Sequence, residues 1–290
     1  MKKFTILIPI FNDWESLEKL LHEINDSIAD IKNVQFDCVV VNDCSTIKNK
    51  KIKIPPQINS IKTIHMSKNK GHARCNAFGI KYLSENTDLD YLILMDGDGE
   101  DRPEEIKLLV DKVLGERDKS VVAKRIKRSE GFLFQMLYRI HKYITLLTTG
   151  KLINFGNYSC LTKSDIKKLS VKASLWSSYS GTFKKNIEDY NEVNSIRGMR
   201  YFGPSQMSLF RLIIHSLSII AVFKYRVLVS SMIFLVSFHY IGILIKFNFL
   251  FFQILIVLFD IFVFIVSFRE SKKKLESSQF DVANIENLTH

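Results

Sequence analysis

Short apolar runs alternate with longer amphipathic segments over the first half of the chain. The runs are rich in β-branched residues and end at Asn, Asp or Pro, a pattern that predicts buried strands over residues 4–10, 36–41, 61–65, 91–95 and 121–123. Apolar residues at helical spacing predict helices over residues 14–28, 71–83 and 103–114. Strands alternating with helices predict an α/β fold, with a mostly parallel twisted sheet and helices on both faces.

Polar side chains follow three of these predicted strands. Asn12 follows the first strand, Asp43 the second, and residues 96–101 the fourth. Ligands of open α/β sheets bind beyond the carboxyl ends of the strands. We therefore expect these side chains to line one crevice.

The most acidic of these segments lies in the stretch LILMDGDGEDRPEE. Four carboxylates fall within six residues, at Asp96, Asp98, Glu100 and Asp101. Clustered carboxylates repel one another unless a cation or strong donors lie among them. Carboxylate oxygens of this kind suit Mg²⁺ or Mn²⁺ together with phosphate oxygens. The alternative is a solvated acidic turn that caps the next helix.

Two other nucleotide-binding signatures are missing from the sequence. No GxGxxG follows the first strand, and no GxxxxGK[ST] occurs anywhere, which argues against a dinucleotide oxidoreductase and a P-loop NTPase. The four cysteines show no metal-type spacing, so we interpret them as reduced cytosolic thiols.

The C-terminal third carries a long hydrophobic segment. Residues 227–268 contain only two charged residues, Lys246 and Asp260, and divide near Lys246 into two apolar runs. Each run reaches the roughly 20 residues that a membrane-spanning helix needs. A transmembrane hairpin over about 227–245 and 247–268 is predicted, with a buried pair of core helices as the alternative. Asp260 is expected to pair with Ser230 or Ser231, or to lie at a subunit contact.

The net charge of +11 is unevenly distributed along the chain. Residues 1–101 hold 13 Lys and Arg against 15 Asp and Glu, whereas residues 102–224 hold 22 against 10. The basic excess therefore lies just before the hairpin, where it suits an anionic lipid or a phosphorylated ligand. Within it, residues 132–147 and 208–223 are apolar segments with interspersed basic groups. They predict helices at the membrane surface, with ordinary core helices as the alternative.

Lysine and arginine residues flank the hairpin on both sides, whereas the connecting loop has only Lys246. By the positive-inside rule both chain ends lie in the cytoplasm. We expect a cytoplasmic catalytic domain over residues 1–206, a juxtamembrane helix over 207–225, the hairpin over 226–268 and a cytoplasmic tail over 269–290. The expected location is the inner (cytoplasmic) membrane, as a multi-pass protein.

An ordered series of motifs resembles one known family. ILIPIFND is similar to a first strand with its Pro-x-x-Asn turn, and VVVNDCST, NKGHARCNAFG, LILMDGDGEDRPEE, VVAKRIKRSEG, NFGNYSCLTKSDI and RYFGPSQMS follow in order. Together these motifs resemble family 2 glycosyltransferases with a GT-A fold. The most similar members are membrane-associated polyprenyl-phosphate sugar transferases of the dolichyl-phosphate mannosyltransferase type.

The resemblance implies a role for particular residues of the donor side. Pro9 and Asn12 would shape the nucleotide pocket, and Asp43 would accept a hydrogen bond from the base. Nucleotide and diphosphate would be lined by Asn69, Gly71 and Arg74. Asp96 would bind the ribose or the metal, Asp98 would be the main metal ligand, and Glu100 would lie near the metal.

The resemblance also implies an acceptor side. Arg125 and Arg200 would bind the acceptor phosphate and count, with Asp96 and Asp98, among the catalytic groups. Ser205 and Gln206 match a Gly-x-Ser-Lys motif in which Gln206 replaces the Lys. Asn42 and Asn154 stand where the family commonly has Asp, which leaves the acceptor and the fine donor choice open. His65 and His72 are interpreted as structural. The alternatives are a simple turn cap for Asp43, a surface charge for Arg74 and a solvated basic run for Arg125.

The activity implied is a metal-dependent, inverting transfer of a sugar from a UDP or GDP sugar to a membrane polyprenyl phosphate. A lipid phosphate is already an anionic nucleophile, so no dedicated base is needed. One alternative is transfer to a sugar hydroxyl of a lipid-linked or cell-surface polysaccharide precursor, for which Asp101 is the nearest spare carboxylate. Another is a non-catalytic membrane scaffold, against which the intact acidic motif argues. No nucleic-acid partner is expected, and a homo-oligomer is one open option.

Overall fold

The computed structural model describes residues 1–47, 52–116, 119–127, 132–203 and 208–290. Within these ranges eight strands form one sheet: β1 (Lys2–Ile10), β2 (Val34–Asn42), β3 (Ser60–Met66), β4 (Tyr91–Leu94), β5 (Val121–Lys127), β6 (Phe155–Thr162), β7 (Asn191–Ile196) and β8 (Val282–Thr289). Their spatial order is β7-β5-β6-β4-β1-β2-β3-β8. The pairs β1–β2, β1–β4, β2–β3 and β5–β7 are parallel, and β6 and β8 run against their neighbours. The predicted mostly parallel α/β sheet is confirmed.

The helices of the described ranges are α1 (Trp14–Ile28), α2 (His72–Asn86), α3 (Ile106–Gly115), α4 (Phe132–Thr149), α5 (Lys163–Ser170), α6 (Tyr179–Asn186), α7 (Leu209–Ala221), α8 (Lys224–Ile245), α9 (Leu250–Ser267) and α10 (Lys272–Ser277). The predicted helix over residues 103–114 begins as a 3₁₀ turn at Pro103–Glu105 and continues as α3. Proline suits that first turn because it has no N–H to satisfy there.

Two hydrophobic cores cover the two faces of the sheet, as alternation along the strands requires. Phe4, Ile6 and Ile8 of β1 pack in one core with α1 and α3, whereas Leu7 packs in the other with α2 and α5. Burying one such side chain stabilises the fold by about 1.5–3 kcal/mol. The central strands are thereby fixed, and so are the positions of their carboxyl ends.

Helices α8 and α9 form an apolar hairpin that is largely exposed to its surroundings. Both are long and apolar enough to cross a membrane. Inside the hairpin the Ser231 hydroxyl donates to Asp260 at 2.7 Å, which is one of the two expected pairings. The hairpin packs on α4 and α7 through a small core that includes Ile144, Ile214 and Val227.

Helices α4 and α7 each keep an exposed apolar surface. Tyr143 and Leu147 of α4 and Phe210 of α7 are each more than half exposed, at 65%, 63% and 72%. A core helix would bury such side chains, so the exposure favours the predicted surface helices over the core-helix alternative.

The segment after the hairpin contributes a feature that the sequence pattern did not predict. Residues 269–290, expected as a short tail, form α10 and then β8, which pairs antiparallel with β3 from Ser60↔Thr289 to Met66↔Val282. Both ends of the hairpin are therefore attached to the same sheet, and the sheet is completed by the last strand of the chain.

Candidate functional site

The acidic turn, residues 96–101, follows β4 directly at the carboxyl end of the central strands. Gly97 allows this turn to pass close to β1, because a Cβ there would lie 2.9 Å from the Cγ2 of Ile10 and 3.1 Å from the carbonyl oxygen of Pro9. Pro9 therefore shapes the crevice through its backbone. Gly99 has a φ of 86°, a left-handed conformation that glycine adopts without strain.

Each carboxylate of the acidic turn has a cationic partner from another part of the chain. The Nε2 of His72 lies 2.9 Å from the Oδ1 of Asp96, and the Nη1 of Arg200 lies 3.0 Å from the Oδ2 of Asp98. Arg197 donates to Glu100, and the Nη2 of Arg125 lies 3.4 Å from the Oδ1 of Asp101. These four cationic partners offset the repulsion expected of clustered carboxylates. The pairing excludes a freely solvated acidic turn.

Residues 197–203, which we call the arginine segment, lie across the acidic turn. The backbone N–H of Gly198 donates to the Glu100 carbonyl at 2.8 Å, and that of Tyr201 donates to the Asp98 carbonyl at 2.9 Å. A Cβ at Gly99 would overlap the Tyr201 ring. The arginine segment is thus held by main-chain bonds as well as by its two arginines.

Arg200 bridges two acidic side chains. Besides Asp98 it donates to Asp13, the residue that precedes α1. The structure places Arg200 on the carboxylate expected to bind the metal, and its expected contact with the acceptor phosphate stays a prediction. Its guanidinium is about one-fifth exposed, so it remains within reach of a ligand entering the crevice.

The Asp43 carboxylate has a different environment from the one expected of a base-binding group. Asp43 is buried, and its two oxygens accept from the backbone N–H groups of Lys70 and Gly71 at 2.7 and 2.8 Å. The Asn69 amide donates to the Asp43 carbonyl at 3.1 Å. Asp43 therefore fixes the loop of residues 67–71. It does not present a free carboxylate to a base.

Asn12 organises the neighbouring loop in a similar way. Its Oδ1 accepts from the backbone N–H groups of Thr46 and Ile47 at 2.8 and 3.1 Å, and its own N–H donates to Ser45 at 2.8 Å. Asn12 has a φ of 56°, a conformation that Asn adopts more readily than most residues. These contacts fix the loop of residues 45–47, and the expected role of Asn12 in shaping a nucleotide pocket stays a prediction.

Arg74 lies near the start of α2, where the loop of residues 67–71 ends. Its Nη1 donates to the Lys70 carbonyl at 2.9 Å, and its guanidinium lies 5.8 Å from the centre of the Trp176 ring. Desolvation, and after it the charge of Arg269, lower the pKa of Arg74. A simple surface charge would have neither contact, so the surface alternative does not hold.

Burial and the interactions among neighbouring charged groups shift the pKa values of the carboxylates in the acidic turn. Desolvation and the charges of Asp96 and Glu100 raise the pKa of Asp98 to about 6. Desolvation also opposes ionisation of Asp96, but the charge of His72 and its hydrogen bond outweigh it, so the pKa of Asp96 is lowered. The same pairing raises the pKa of His72 against the desolvation that would lower it. Asp96 and His72 therefore form an ion pair.

Asp101 is not the spare carboxylate that the hydroxyl-acceptor alternative requires. It is 3% exposed, its Oδ2 accepts from the backbone N–H of Asp96 at 3.0 Å, and its Oδ1 faces Arg125. The Arg125 side chain is 13% exposed and lies over Gly156, so it does not belong to a solvated basic run. Asp101 and Arg125 therefore stabilise the acidic turn as buried groups.

Two further residues of the site, Asn157 and Arg197, were not singled out from the sequence, and a third, His72, was interpreted as structural but contacts Asp96. His72 and Asn157 both contact the Oδ1 of Asp96, the latter at 3.2 Å, while Arg197 pairs with Glu100. His72 and Asn157 lie inside two motifs already noted, NKGHARCNAFG and NFGNYSCLTKSDI, and their position in those motifs is the sequence feature that could have identified them.

The expected acceptor residues Ser205 and Gln206 lie outside the described residues. Among the described residues no three His, Cys, Asp or Glu side chains are already arranged to hold a metal ion.

Solved structures with this arrangement of strands include a sugar transferase. Glucosyl-3-phosphoglycerate synthase from Mycobacterium tuberculosis, solved with Mn²⁺, UDP and phosphoglyceric acid, superposes with a TM-score of 0.53 at 15% identity, over 78% of each chain. At this identity the similarity concerns the fold alone, and it agrees with the expected GT-A architecture.

Sequence comparison finds similarity to bacterial enzymes. The chain is 27% identical over 228 residues to undecaprenyl-phosphate 4-deoxy-4-formamido-L-arabinose transferase from Photorhabdus laumondii, and 25% identical over 221 residues to the same enzyme from Serratia proteamaculans. Each match covers 73% of this chain, and the chain spans 65% of the length of these relatives. The model of the family described as glycosyl transferase family 2 matches residues 5–192. That match extends over most of the chain, from β1 to the start of β7, and the protein belongs to glycosyl transferase family 2.

Proposed function

We propose that this protein transfers a sugar from a nucleotide-diphosphate sugar to a polyprenyl phosphate at a membrane surface. A phosphate oxygen of the lipid attacks the anomeric carbon and forms a new C–O bond. The bond from that carbon to the donor diphosphate breaks, and the nucleoside diphosphate leaves with the electron pair. One displacement of this kind inverts the configuration at the anomeric carbon.

The observation that carries the proposal is the position of α7, which packs against the apolar hairpin and whose His215 lies within electrostatic range of Asp96 in the acidic turn. The arginine segment, paired with Asp98 and Glu100, precedes α7 in the chain, and α7 packs against the hairpin. Desolvation, and after it the charges of His72 and His141, lower the pKa of His215 on α7 to about 4, and Asp96 and Arg125 act on it as well. A soluble sugar donor and a membrane-bound acceptor would meet at such a place.

The donor would occupy the crevice between the loops that Asn12 and Asp43 fix. Asn69, Gly71 and Arg74 border this crevice, and Arg74 supplies a cation close to the start of α2. A cation there would stabilise the charge that develops on the departing diphosphate. We therefore assign the diphosphate to the loop of residues 67–71 and to Arg74.

A divalent cation, Mg²⁺ or Mn²⁺, fits the chemistry of the acidic turn. The raised pKa of Asp98 reflects repulsion from Asp96 and Glu100, which a bound cation would relieve. Asp96 and Asp98 would hold the ion, and Glu100 would lie beside it. When bound, the ion would neutralise charge on the leaving diphosphate.

The acceptor phosphate would be bound by Arg125 and Arg200, of which Arg200 has the more exposed side chain. A phosphate monoester needs no base, which suits a site whose nearest candidate base, Asp101, already accepts from Asp96 and faces Arg125. The names of the curated relatives, which are undecaprenyl-phosphate sugar transferases, support the same acceptor class. We propose that the hairpin spans the cytoplasmic membrane with the catalytic domain on the cytoplasmic side.

A reconstituted transfer assay tests this function. The protein in nanodiscs containing undecaprenyl phosphate is given radiolabelled UDP and GDP sugars with Mn²⁺ or Mg²⁺. We expect label in a lipid-soluble sugar phosphate, and no transfer by the Asp98→Ala variant. The Asp111→Asn variant, changed at an exposed position of α3, serves as the matched control. Label found only in an alkali-stable oligosaccharide would instead establish a hydroxyl acceptor.

A further inference from the structure

The chain beyond the membrane hairpin reaches back to the donor crevice. β8 lies along β3, whose last residues lead directly into the loop of residues 67–71. The proposed function assigns this loop to the donor diphosphate, but it gives no role to the segment that follows the hairpin. The contacts of that segment are specific and involve charged side chains.

Asp281, the residue before β8, holds the loop at two points. Its backbone carbonyl accepts from the N–H of Ser67 at 2.7 Å, and its Oδ2 lies 2.9 Å from the Nζ of Lys70. The two side chains of this ion pair are only 26% and 23% exposed. A pair shielded to this degree is worth more than a fully solvated one.

The same lysine is fixed from the opposite side by the site itself. The Lys70 backbone N–H donates to Asp43 at 2.7 Å, and its carbonyl accepts from Arg74 at 2.9 Å. The main chain of Lys70 is therefore fixed by Asp43 and Arg74, and its side chain is fixed by Asp281. Moving either anchor would displace the residues expected to line the diphosphate.

A second link runs from β8 to the other loop of the crevice. The Glu286 Oε1 lies 3.4 Å from the Nε2 of His65, and the His65 Nδ1 lies 2.9 Å from the Asn42 amide nitrogen. The Asn42 Oδ1 accepts from the N–H of Ser45, so the amide nitrogen faces the histidine as a donor. The proton of a neutral His65 then lies on Nε2, which makes no hydrogen bond within the described residues and only the 3.4 Å contact with Glu286.

We propose that Asp281 is a positioning residue for the nucleotide-diphosphate donor, acting through Lys70 on the loop of residues 67–71. The segment after the hairpin is then part of the donor site as well as a strand that closes the sheet. This inference rests on the proposed function in one respect, the identity of the ligand as a nucleoside diphosphate. The merely structural alternative is that Asp281 stabilises the fold and leaves ligand binding unchanged.

The test compares variants that break the ion pair from either side. Asp281→Asn and Lys70→Met remove one charge each, and the exchange Lys70→Asp with Asp281→Lys restores a pair of opposite charges. Glu276→Gln is the matched control, because Glu276 lies in α10 of the same segment and makes only an exposed ion pair with Lys272 at 3.6 Å. The full-length protein in nanodiscs is used throughout.

Binding of UDP and GDP with Mn²⁺ is measured by calorimetry, and the KM values for donor and acceptor are measured separately. We expect each single variant to weaken nucleotide binding and raise the donor KM about three- to thirtyfold. The acceptor KM should stay unchanged, the exchanged pair should recover part of the loss, and Glu276→Gln should behave as wild type.

Two outcomes separate failure of this inference from failure of the proposed function. If the wild-type protein binds neither UDP nor GDP, the proposed function is wrong. If the wild type binds one of them, and Asp281→Asn and Lys70→Met lower only the melting temperature with nucleotide affinity unchanged, the positioning role is wrong. Should Asp281→Asn fail to fold, Lys70→Met and the exchanged pair still decide the question.

Discussion

The Nη1 of Arg200 lies 3.0 Å from the Oδ2 of Asp98, so a cation of the chain itself occupies the carboxylate proposed to bind a metal ion. Arg200 also donates to Asp13, which ties the arginine segment to the start of α1. A divalent ion entering the acidic turn must share or displace this arginine. If a metal binds there as proposed, it competes directly with the arginine segment for the Oδ2 of Asp98.

Replacing Arg200 should tighten metal binding while transfer is lost. The Arg200→Met variant removes the competing cation, so we expect Mn²⁺ affinity without nucleotide to rise about three- to tenfold. Transfer should fall because the same arginine is proposed to meet the acceptor phosphate. Mn²⁺ titration by electron paramagnetic resonance measures the first effect, with Arg211→Met as the exposed control on α7. Unchanged or weaker Mn²⁺ binding would contradict the competition.

Replacing Asp98 should uncouple nucleotide binding from the metal. In Asp98→Asn the oxygen ligand loses its charge, so Mn²⁺ should no longer strengthen binding of the nucleoside diphosphate. Binding measured with Mn²⁺ and with a chelator should then coincide, whereas in the wild type and in Asp111→Asn the two should differ. A Mn²⁺ effect that survives in Asp98→Asn would move the metal site elsewhere.

A methyl group at Gly99 should destabilise the contact between the acidic turn and the arginine segment. Gly99 has a φ of 86°, and a Cβ there overlaps the Tyr201 ring. We expect Gly99→Ala to cost about 1–3 kcal/mol, from backbone strain and overpacking together. Gly115→Ala is the matched control, because among the described residues nothing beyond its own helix backbone and chain neighbours lies within 4 Å of the added Cβ. Thermal unfolding of both variants in detergent provides the measurement, and equal midpoints would refute the expected strain.

The polar pair inside the hairpin should contribute modestly to its stability. The Ser231 hydroxyl donates to Asp260 at 2.7 Å, whereas the structure shows no such bond for Ser230 within the described residues. A double-mutant cycle of Ser231→Ala and Asp260→Asn should give a coupling of about 0.6 kcal/mol, within the range measured for such bonds in membrane proteins. Ser230→Ala should leave stability unchanged. Coupling equal to zero would mean that the hydroxyl and the carboxyl find other partners.

Sequence pattern was sufficient where structure depends on local periodicity. α1 spans Trp14–Ile28 as predicted, because Leu17, Leu21 and Ile24 repeat at helical spacing. The acidic turn was also located correctly, since it follows the short apolar strand β4. Both features depend on neighbours within a few residues, which the sequence displays directly.

Features that depend on distant contacts could not be predicted in this way. Arg200 meets Asp98 across 102 positions of the chain, and nothing in the local pattern selects that arginine from the basic segment. Asp43 was expected to face a ligand, but backbone N–H groups of the loop of residues 67–71 take its oxygens. β8 has the sequence VANIENLT, with four polar residues in eight, so its strand character comes from pairing with β3.

The position of β8 has a consequence for how the protein is made. A ribosome synthesises β3 before the two helices of the hairpin and β8 after them. Until the chain has returned from the hairpin, β3 presents an open edge that can pair with other chains and aggregate. If the hairpin spans a membrane as proposed, β8 can pair with β3 only after both hairpin helices have been made, and a chain that fails to return is left with an unfinished sheet.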